Sequence, residues 1–581
     1  MSSPMPLPAD DLAPAAERAE VAALRAEPAA SVVIIGGGIN GIATFRDLAL
    51  QGVPVVLVER NDFVSGASAA SSHMIHGGIR YLENGEFRLV KESVTERNAL
   101  IKIAPHYVKP LRTTVPIFSA FSGILSAPLR FLTHKAGKPT ERGALLIKAG
   151  LTIYDAFSRD GGSVPRHRFL GATRSHAELP ALNRGVKYTA TYYDASMHDP
   201  ERLALDVLHD GLAAGPHARA VNYVEAVGLD AAGVRVRDRE TGAEFDLAAD
   251  VVVNTSGPWT DLTNAELGRP TRYMGGTKGS HIVLDHPELL AATGGREIFF
   301  EHEDGRIVLI YPLKDRVMVG TTDLEHDMRQ PAVCTEDEVD YFFDLVAHVF
   351  PDIRMDRSQI VYRFAGVRPL PRHDDTQPGF VSRDYRIERA DVAERPGTTL
   401  LSLVGGKWTT FRALAEHLTN DVLGLLGRER VRSTAGLAIG GGAGYPATDD
   451  AHRVWVVTHG DELGRARAEV LLERYGTRAE AIIAELEGTD DAVLAHHDGY
   501  TRGEIAWLVR NERVTHLLDV VQRRTSLAFT GAVTMPLLDE LTEIAGDELG
   551  WDAGRRAVEV AEAQRVLTEV HGMRLEAAVA A

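Results

Sequence analysis

The residues with the clearest chemical capacity begin with three glycines. Gly36, Gly38 and Gly41 form G-x-G-x-x-G within residues 31–61, SVVIIGGGINGIATFRDLALQGVPVVLVERN. The first glycine permits a tight turn, the second lets backbone approach a pyrophosphate, and the third allows close helix–strand packing. Phosphates then sit at a positive helix start. Glu59 follows Gly41 by 18 residues, where a carboxylate accepts hydrogen bonds from a ribose hydroxyl and repels a 2′-phosphate. A second element lies at residues 400–417, LLSLVGGKWTTFRALAEH, where Gly405 and Gly406 precede a predicted helix whose first turn carries Thr409 and Thr410. A helix start there stabilises negative charge growing on the pyrimidine edge of a flavin. Two sequence-distant segments closing on one long cofactor point to FAD.

Certain elements must position these residues. Residues 31–61 read as a buried strand, a glycine turn, a helix-period stretch and a second buried strand, one complete βαβ unit. Val-rich strands and turns continue over 188–253, with further strand-like runs at 307–311, 317–320 and 400–404. Residues 433–449 read as a glycine-rich linker, and from 450 to 581 apolar residues recur at helical spacing, predicting a helical C-terminal domain. Residues 1–30, rich in Ala, Pro and Glu, read as a flexible lead-in, partly helical over 14–26, with no apolar signal core.

Composition narrows the function classes. A chain of 581 residues exceeds one hydrophobic core, so two or three domains are expected. A formal net charge of −18 argues against nucleic acid as a partner. The lone Cys334, in a polar stretch, excludes disulfides and cysteine-ligated clusters and reads as inert; no metal is expected, and a reducing, cytoplasmic setting is the natural inference. No apolar run is long enough to span a bilayer as a helix. The charge is uneven. Between Arg97 and Lys148 nine Lys or Arg face one acid, Glu141, and the enclosed IFSAFSGILSAPLRFL, residues 117–132, suits a peripheral anchor on anionic lipid. A buried helix with solvated flanks reads equally well there.

Residues 65–110, SGASAASSHMIHGGIRYLENGEFRLVKESVTERNALIKIAPHYVKP, taken with KGSHIVL (278–284), VGTTD (319–323), FAGVRPLP (364–371), SRDY (382–385) and GGKWTTFR (405–412), resemble the FAD-dependent glycerol-3-phosphate dehydrogenases and the related glycerophosphate oxidases. The likeness spans about residues 31–430 and resumes at 503–527. It implies an α/β fold: a discontinuous glutathione-reductase-type, Rossmann-like FAD-binding domain over 31–432. It also implies an inserted α+β substrate-covering domain, about 111–187 and 270–365, and an all-α C-terminal domain. The implied reaction oxidises sn-glycerol 3-phosphate to dihydroxyacetone phosphate and passes electrons to a quinone, or to oxygen in the oxidases. A dehydrogenase of another polyol phosphate or of a hydroxy acid on the same fold is the remaining alternative, and a homodimer is allowed.

Oxidising a secondary alcohol needs a base, a hydride acceptor and positive charge for an anionic end. His76, in IHGG, is the candidate base or hydroxyl partner. By resemblance Arg80, Arg368 and Lys407 join it in the catalytic set, with Tyr81, Arg383 and Lys278 on the substrate and Ser71 and Ser72 on the cofactor. Only ten of the 63 basic residues are Lys, which makes Lys278 and Lys407, each beside glycine, more notable. One position departs from the family. Most members read SSKLIHGG, whereas here His73 replaces that lysine, which weakens the case for glycerol 3-phosphate as the sole substrate. Residues 188–203 read as structural, and Asp323 as a turn cap in preference to a group that orients a neighbour.

Overall fold

The structure, a computed structural model, describes residues 17–78, 87–119, 147–148, 150–152, 154–155, 164–301, 306–372, 384–461, 463–489 and 491–575. Arg80, Tyr81, Arg383 and most of the apolar stretch 117–132 lie outside them.

Alternating βαβ sequence produces a six-stranded sheet in the order Arg386–Asp391, Thr399–Val404, Val251–Asn254, Val32–Ile35, Val55–Val58, Ala218–Val221. All but the first are parallel. Parallel strands are covered on both faces, which is why Val32–Ile35 and Val55–Val58 are unbroken apolar runs buried at every residue. The helix Ile39–Leu50 packs on this sheet with ten of its twelve residues buried. Each fully buried Val, Ile or Leu here contributes about 1.5–3 kcal/mol.

A second, ten-stranded sheet forms the other half of the body. It takes in Val108–Ile117, Tyr188–Met197, Met274–Leu284 and Ile360–Pro371, and captures the short strand Met74–Ile75 at its edge. The sheet therefore joins segments on both sides of the expected bounds 111–187 and 270–365. Residues 188–197 belong to this sheet because Val108–Ile117 pairs with them over their whole length.

Two further expectations change. The lead-in is docked from Arg18 onward: Val21 and Leu24 of the helix Ala19–Ala26 are buried, and Arg18 donates to the Asn222 carbonyl at 2.7 Å. The glycine-rich connection is no free tether either. An added Cβ at Gly441 would overlap the Tyr475 carbonyl oxygen and one at Gly442 the Ile103 carbonyl oxygen, so the chain lies pressed between body and tail. Beyond it the helices Asp449–His459, Arg465–Tyr475, Arg502–Asn511, Met535–Leu549 and Ala553–Arg565 share one apolar core that continues onto Leu309, Tyr311, Met318 and Phe364 of the ten-stranded sheet.

A buried ionic joint connects tail and flavin-type domain. Asp62, just past the strand Val55–Val58, accepts from Asn222 at 3.0 Å and from the guanidinium groups of Arg523 and Arg524. Burial opposes the Asp62 charge, but Arg524 and Arg523 hold its carboxyl well below the usual carboxylate range.

Candidate active site

The glycine turn is built as its spacing predicts. Gly36 adopts φ +108°, a left-handed conformation, and its absent Cβ would stand 2.9 Å from Ser256. At Gly41 a Cβ would overlap the Gly36 carbonyl oxygen. Gly38 caps the helix Ile39–Leu50 without a side chain, so the cap residue itself covers none of the donors at the helix start. That emptied, donor-rich cradle is what a pyrophosphate requires. Glu59 ends its strand with Oε2 accepting from Gly37 N at 2.7 Å and Oε1 from Asn61 N at 2.8 Å. Burial raises its pKa, and the two backbone bonds oppose that rise. It holds the turn itself, and a carboxylate has lone pairs left for a ribose.

The second element meets the first. Gly405 and Gly406 have φ of +99° and +113°, and a Cβ on Gly406 would overlap the amide nitrogen of Asn40 in the first helix. Residues 366 positions apart in the chain thus touch, and they do so only because Gly406 lacks a side chain. Trp408 Nε1 donates to the Ser68 carbonyl at 3.0 Å, and Ser68 Oγ accepts from Ile39 N at 3.0 Å. Ser68 was not singled out by sequence; its hydroxyl reaches the helix start from a loop whose path only the fold decides. These residues fit FAD: Gly36, Gly38, Gly41, Glu59 and Ser68 on the adenylate and pyrophosphate side, with residues 405–409 at the other end.

Thr409 is buried, and its Oγ1 donates to the His76 carbonyl at 3.2 Å. That bond fixes the His76 backbone against the turn that opens the helix Phe411–Leu425. Lys407 precedes this turn; its charge and that of Arg88 partly offset the burial that raises the Glu92 pKa on the helix Phe87–Ile103. The same helix is riveted by Glu96 to Arg412 at 2.7 Å.

Arg368 lies on the strand Ile360–Pro371 opposite Thr277. Its Nη1 donates to Asp323 at 3.0 Å, and Nη2 to Thr321 Oγ1 and the Thr322 carbonyl, each at 3.0 Å. Gly279 leaves the space that this guanidinium fills. Asp323 is therefore an orienting partner of Arg368 rather than a turn cap. At 23% exposure the Arg368 side chain still reaches solvent. Its strand touches the cofactor-side loop where Gly366 meets Ala70.

Three of the expected ligands also bond within the protein. Lys278 is buried, its Nζ donating to Glu338 Oε2 at 2.8 Å and to the Val333 carbonyl at 2.7 Å. It neutralises a carboxylate that also takes Ser280 and Thr322, so it serves the fold of the covering sheet. Ser72 Oγ bonds His281 Nε2 at 2.8 Å, and Ser71 Oγ accepts from His73 N at 3.3 Å. His281 was passed over beside Lys278 in KGSH. It is buried, stacks on Phe364 at 4.8 Å, and burial, with Arg368 and His73 adding to it, lowers its pKa to about 3, so it stays neutral. His73, with φ +52°, is buried 4.9 Å from the Phe529 ring of the tail domain. Burial lowers its pKa to about 4, so it replaces a lysine with an uncharged ring.

Cys334 is buried, and burial pushes its thiol up to about 12. Among the described residues no group of three or more His, Cys, Asp or Glu could hold a metal ion.

Known proteins resemble this chain along most of its length. The model of FAD dependent oxidoreductases matches residues 31–420, and that of the C-terminal domain of alpha-glycerophosphate oxidase matches 397–556. The chain is 32% identical to a glycerol-3-phosphate dehydrogenase of Synechocystis sp., covering 90% of this chain and 93% of that one. It is 30% identical to the aerobic glycerol-3-phosphate dehydrogenase of Escherichia coli (85% and 93% covered) and to D-erythritol 1-phosphate dehydrogenase of Brucella abortus (86% and 95% covered). A crystal structure of glycerol-3-phosphate dehydrogenase from Bacillus halodurans, complexed with FAD, shares the fold at TM-score 0.72 and 22% identity, covering 95% of this chain and 97% of that one.

Proposed function

The chain belongs to the FAD-dependent family of glycerol-3-phosphate dehydrogenases and glycerophosphate oxidases, and from that premise we propose that it oxidises sn-glycerol 3-phosphate to dihydroxyacetone phosphate and delivers the electrons to a quinone. The observation that carries this reading is the convergence of the glycine cradle and the 405–409 turn beside His76, with a partly exposed Arg368 held ready by Asp323.

A bound flavin supplies acceptance of hydride from the carbinol carbon. The chain's residues do the rest. His76 takes the hydroxyl proton as the carbonyl forms, and the Arg368 guanidinium sets its positive charge against the phosphate. Lys407 adds a second cation. Asp323 fixes the plane of the Arg368 guanidinium, so little conformational freedom is lost when the substrate arrives.

A longer polyol phosphate is the second reading. It is favoured by His73, a neutral ring where most of the family carries lysine, and by the similarity to a D-erythritol 1-phosphate dehydrogenase. Anaerobic flavin bleaching, compared across glycerol 3-phosphate, tetritol phosphates and unphosphorylated parents, separates the two. Fastest bleaching by glycerol 3-phosphate supports the first reading, and preference for a four-carbon phosphate replaces it. Stoichiometric peroxide at turnover would overturn the quinone assignment.

Among the described residues no helix is long and apolar enough to cross a membrane. Docking of the basic segment on anionic lipid accordingly stands as a peripheral arrangement, with one subtraction. Arg97 is fully buried against Asp194 and leaves the charged island. Deleting residues 119–138 is expected to release the protein from anionic vesicles with flavin content intact; unchanged vesicle binding rejects the docking.

A further inference from the structure

We propose that Asp194 is a positioning residue for the reaction, holding the His76–Gly77 peptide through a buried triad with Arg97 and Tyr154; this rests on the role of His76 given above.

The register shows why a side chain is needed. The strand Met74–Ile75 pairs with Tyr188–Met197 through Met74 opposite Ser196 and Ile75 opposite Ala195. The ladder then stops, one residue before His76, at the point where Asp194 would be the next partner. Instead Asp194 Oδ1 accepts from Gly77 N at 2.9 Å, so a carboxylate continues the work of the ladder after the backbone has turned away. The His76 carbonyl on the other side of that peptide is bonded by Thr409. One peptide unit thus carries a bond at each end, from two elements more than 200 residues apart in the chain.

The triad is tightly closed. Asp194 Oδ1 also accepts from Tyr154 OH at 2.5 Å and from Arg97 Nη1 at 3.1 Å, and Arg97 Nη1 donates to Tyr154 OH at 2.6 Å and to the Tyr193 carbonyl at 2.9 Å. Asp194 and Arg97 are buried as a pair, a costly arrangement that the bonds of Arg97 to Asn98, Tyr154 and the Tyr193 carbonyl help to offset. Burial first, and then the Asp194 charge, raise the Tyr154 pKa well above the usual phenol range, so its hydroxyl stays a donor. Gly77 cannot carry a side chain, because a Cβ would overlap the Tyr154 hydroxyl. Nothing in the triad faces solvent, which suits a group that orients a base rather than one that exchanges protons with substrate.

The decisive comparison is Asp194→Asn against Tyr154→Phe and wild type, each as the FAD-loaded full chain, using whichever polyol phosphate bleaches wild-type flavin fastest. If no polyol phosphate bleaches the wild type, the proposed function fails while the exchange measurement below still judges the positioning. In Asp194→Asn the flavin-reduction rate at saturating substrate falls about tenfold to a hundredfold, as for a displacement near 1 Å at a reacting group, with KM nearly constant. The pH profile of that rate also moves. Tyr154→Phe, which keeps Asp194 and Arg97, loses about threefold on the same scale. Amide exchange in the peptide covering residues 74–78 accelerates in Asp194→Asn, a readout independent of turnover. Wild-type reduction rates and pH profiles in both variants, or unchanged exchange at 74–78, would overturn the assignment.

Discussion

The glycine cradle and the proposed substrate face are built by opposite means. The cradle draws on one contiguous stretch, residues 31–61, and binds with backbone: Gly36, Gly38 and Gly41 contribute by what they lack, and Glu59 ties the turn to its own strand. The substrate face draws on side chains from elements far apart. Arg368 comes from a strand of the second sheet, His76 from a loop after its edge strand, and Lys407 from the turn before the helix Phe411–Leu425. Two of these are set by neighbours the local sequence does not reveal, Asp323 for Arg368 and Asp194 with Thr409 for His76. A cradle made of absences fails when anything is added. A face made of held charges fails when a partner is removed.

That contrast is open to four tests, in falling order of effect on turnover. Gly41→Val places branched carbon against the Gly36 carbonyl and Thr255, beyond the about 1–3 kcal/mol of ordinary overpacking, so the protein is expected to purify without flavin. A normal flavin absorbance per chain would contradict the cradle. Arg368→Ala removes charge-assisted bonds worth about 2 kcal/mol, so KM for the phosphorylated substrate should rise about thirtyfold with the flavin spectrum unchanged. An unaltered KM in steady-state kinetics would move the phosphate elsewhere.

The third test addresses the joint between body and tail. His516 lies between Glu240 of the body, at 3.0 Å, and Glu559 of the tail, at 2.9 Å. Burial alone would lower its pKa, but the Glu559 and Glu240 carboxylates outweigh burial and raise it from 6.5 to about 10. A folded pKa above the unfolded one means that the stabilisation is complete below 6.5 and vanishes as pH climbs to about 10. The thermal midpoint should therefore fall across that window, and His516→Gln should flatten the fall; identical pH profiles of the two midpoints would remove His516 from the joint. Fourth, Lys278→Met leaves Glu338 buried without its cation, costing about 3 kcal/mol of stability while KM stays within about twofold. A large KM increase with an unchanged midpoint would restore Lys278 to the substrate.

How much of the site was legible follows the same division. G-x-G-x-x-G and Glu59 were readable because their geometry is closed within one βαβ unit. Arg368 and Lys407 were marked by motif, yet nothing near either in the chain shows that Asp323 grips the one or that Glu92 lies near the charge of the other. Lys278 shows the physical reason: a lysine beside glycine in a strand looks uncommitted until Glu338, 60 residues on, is folded against it. Asp194 and His281 were passed over because each looks like an ordinary strand residue. Their roles come from the elements that pack on them, Met74–Ile75 and its following turn for the first, and the Ser72 loop for the second.

By itself the sequence determined the βαβ unit, its flavin-type cradle, the family and the change to a helical tail, since each is written in local periodicity or in short motifs whose atoms are neighbours along the chain. Tertiary structure alone decided which cations pair with which internal carboxylates, Lys278 with Glu338 and Arg368 with Asp323, and what holds the His76 backbone. A charge buried in a low dielectric must be paired, and the partner is chosen by packing between distant elements rather than by position in the sequence.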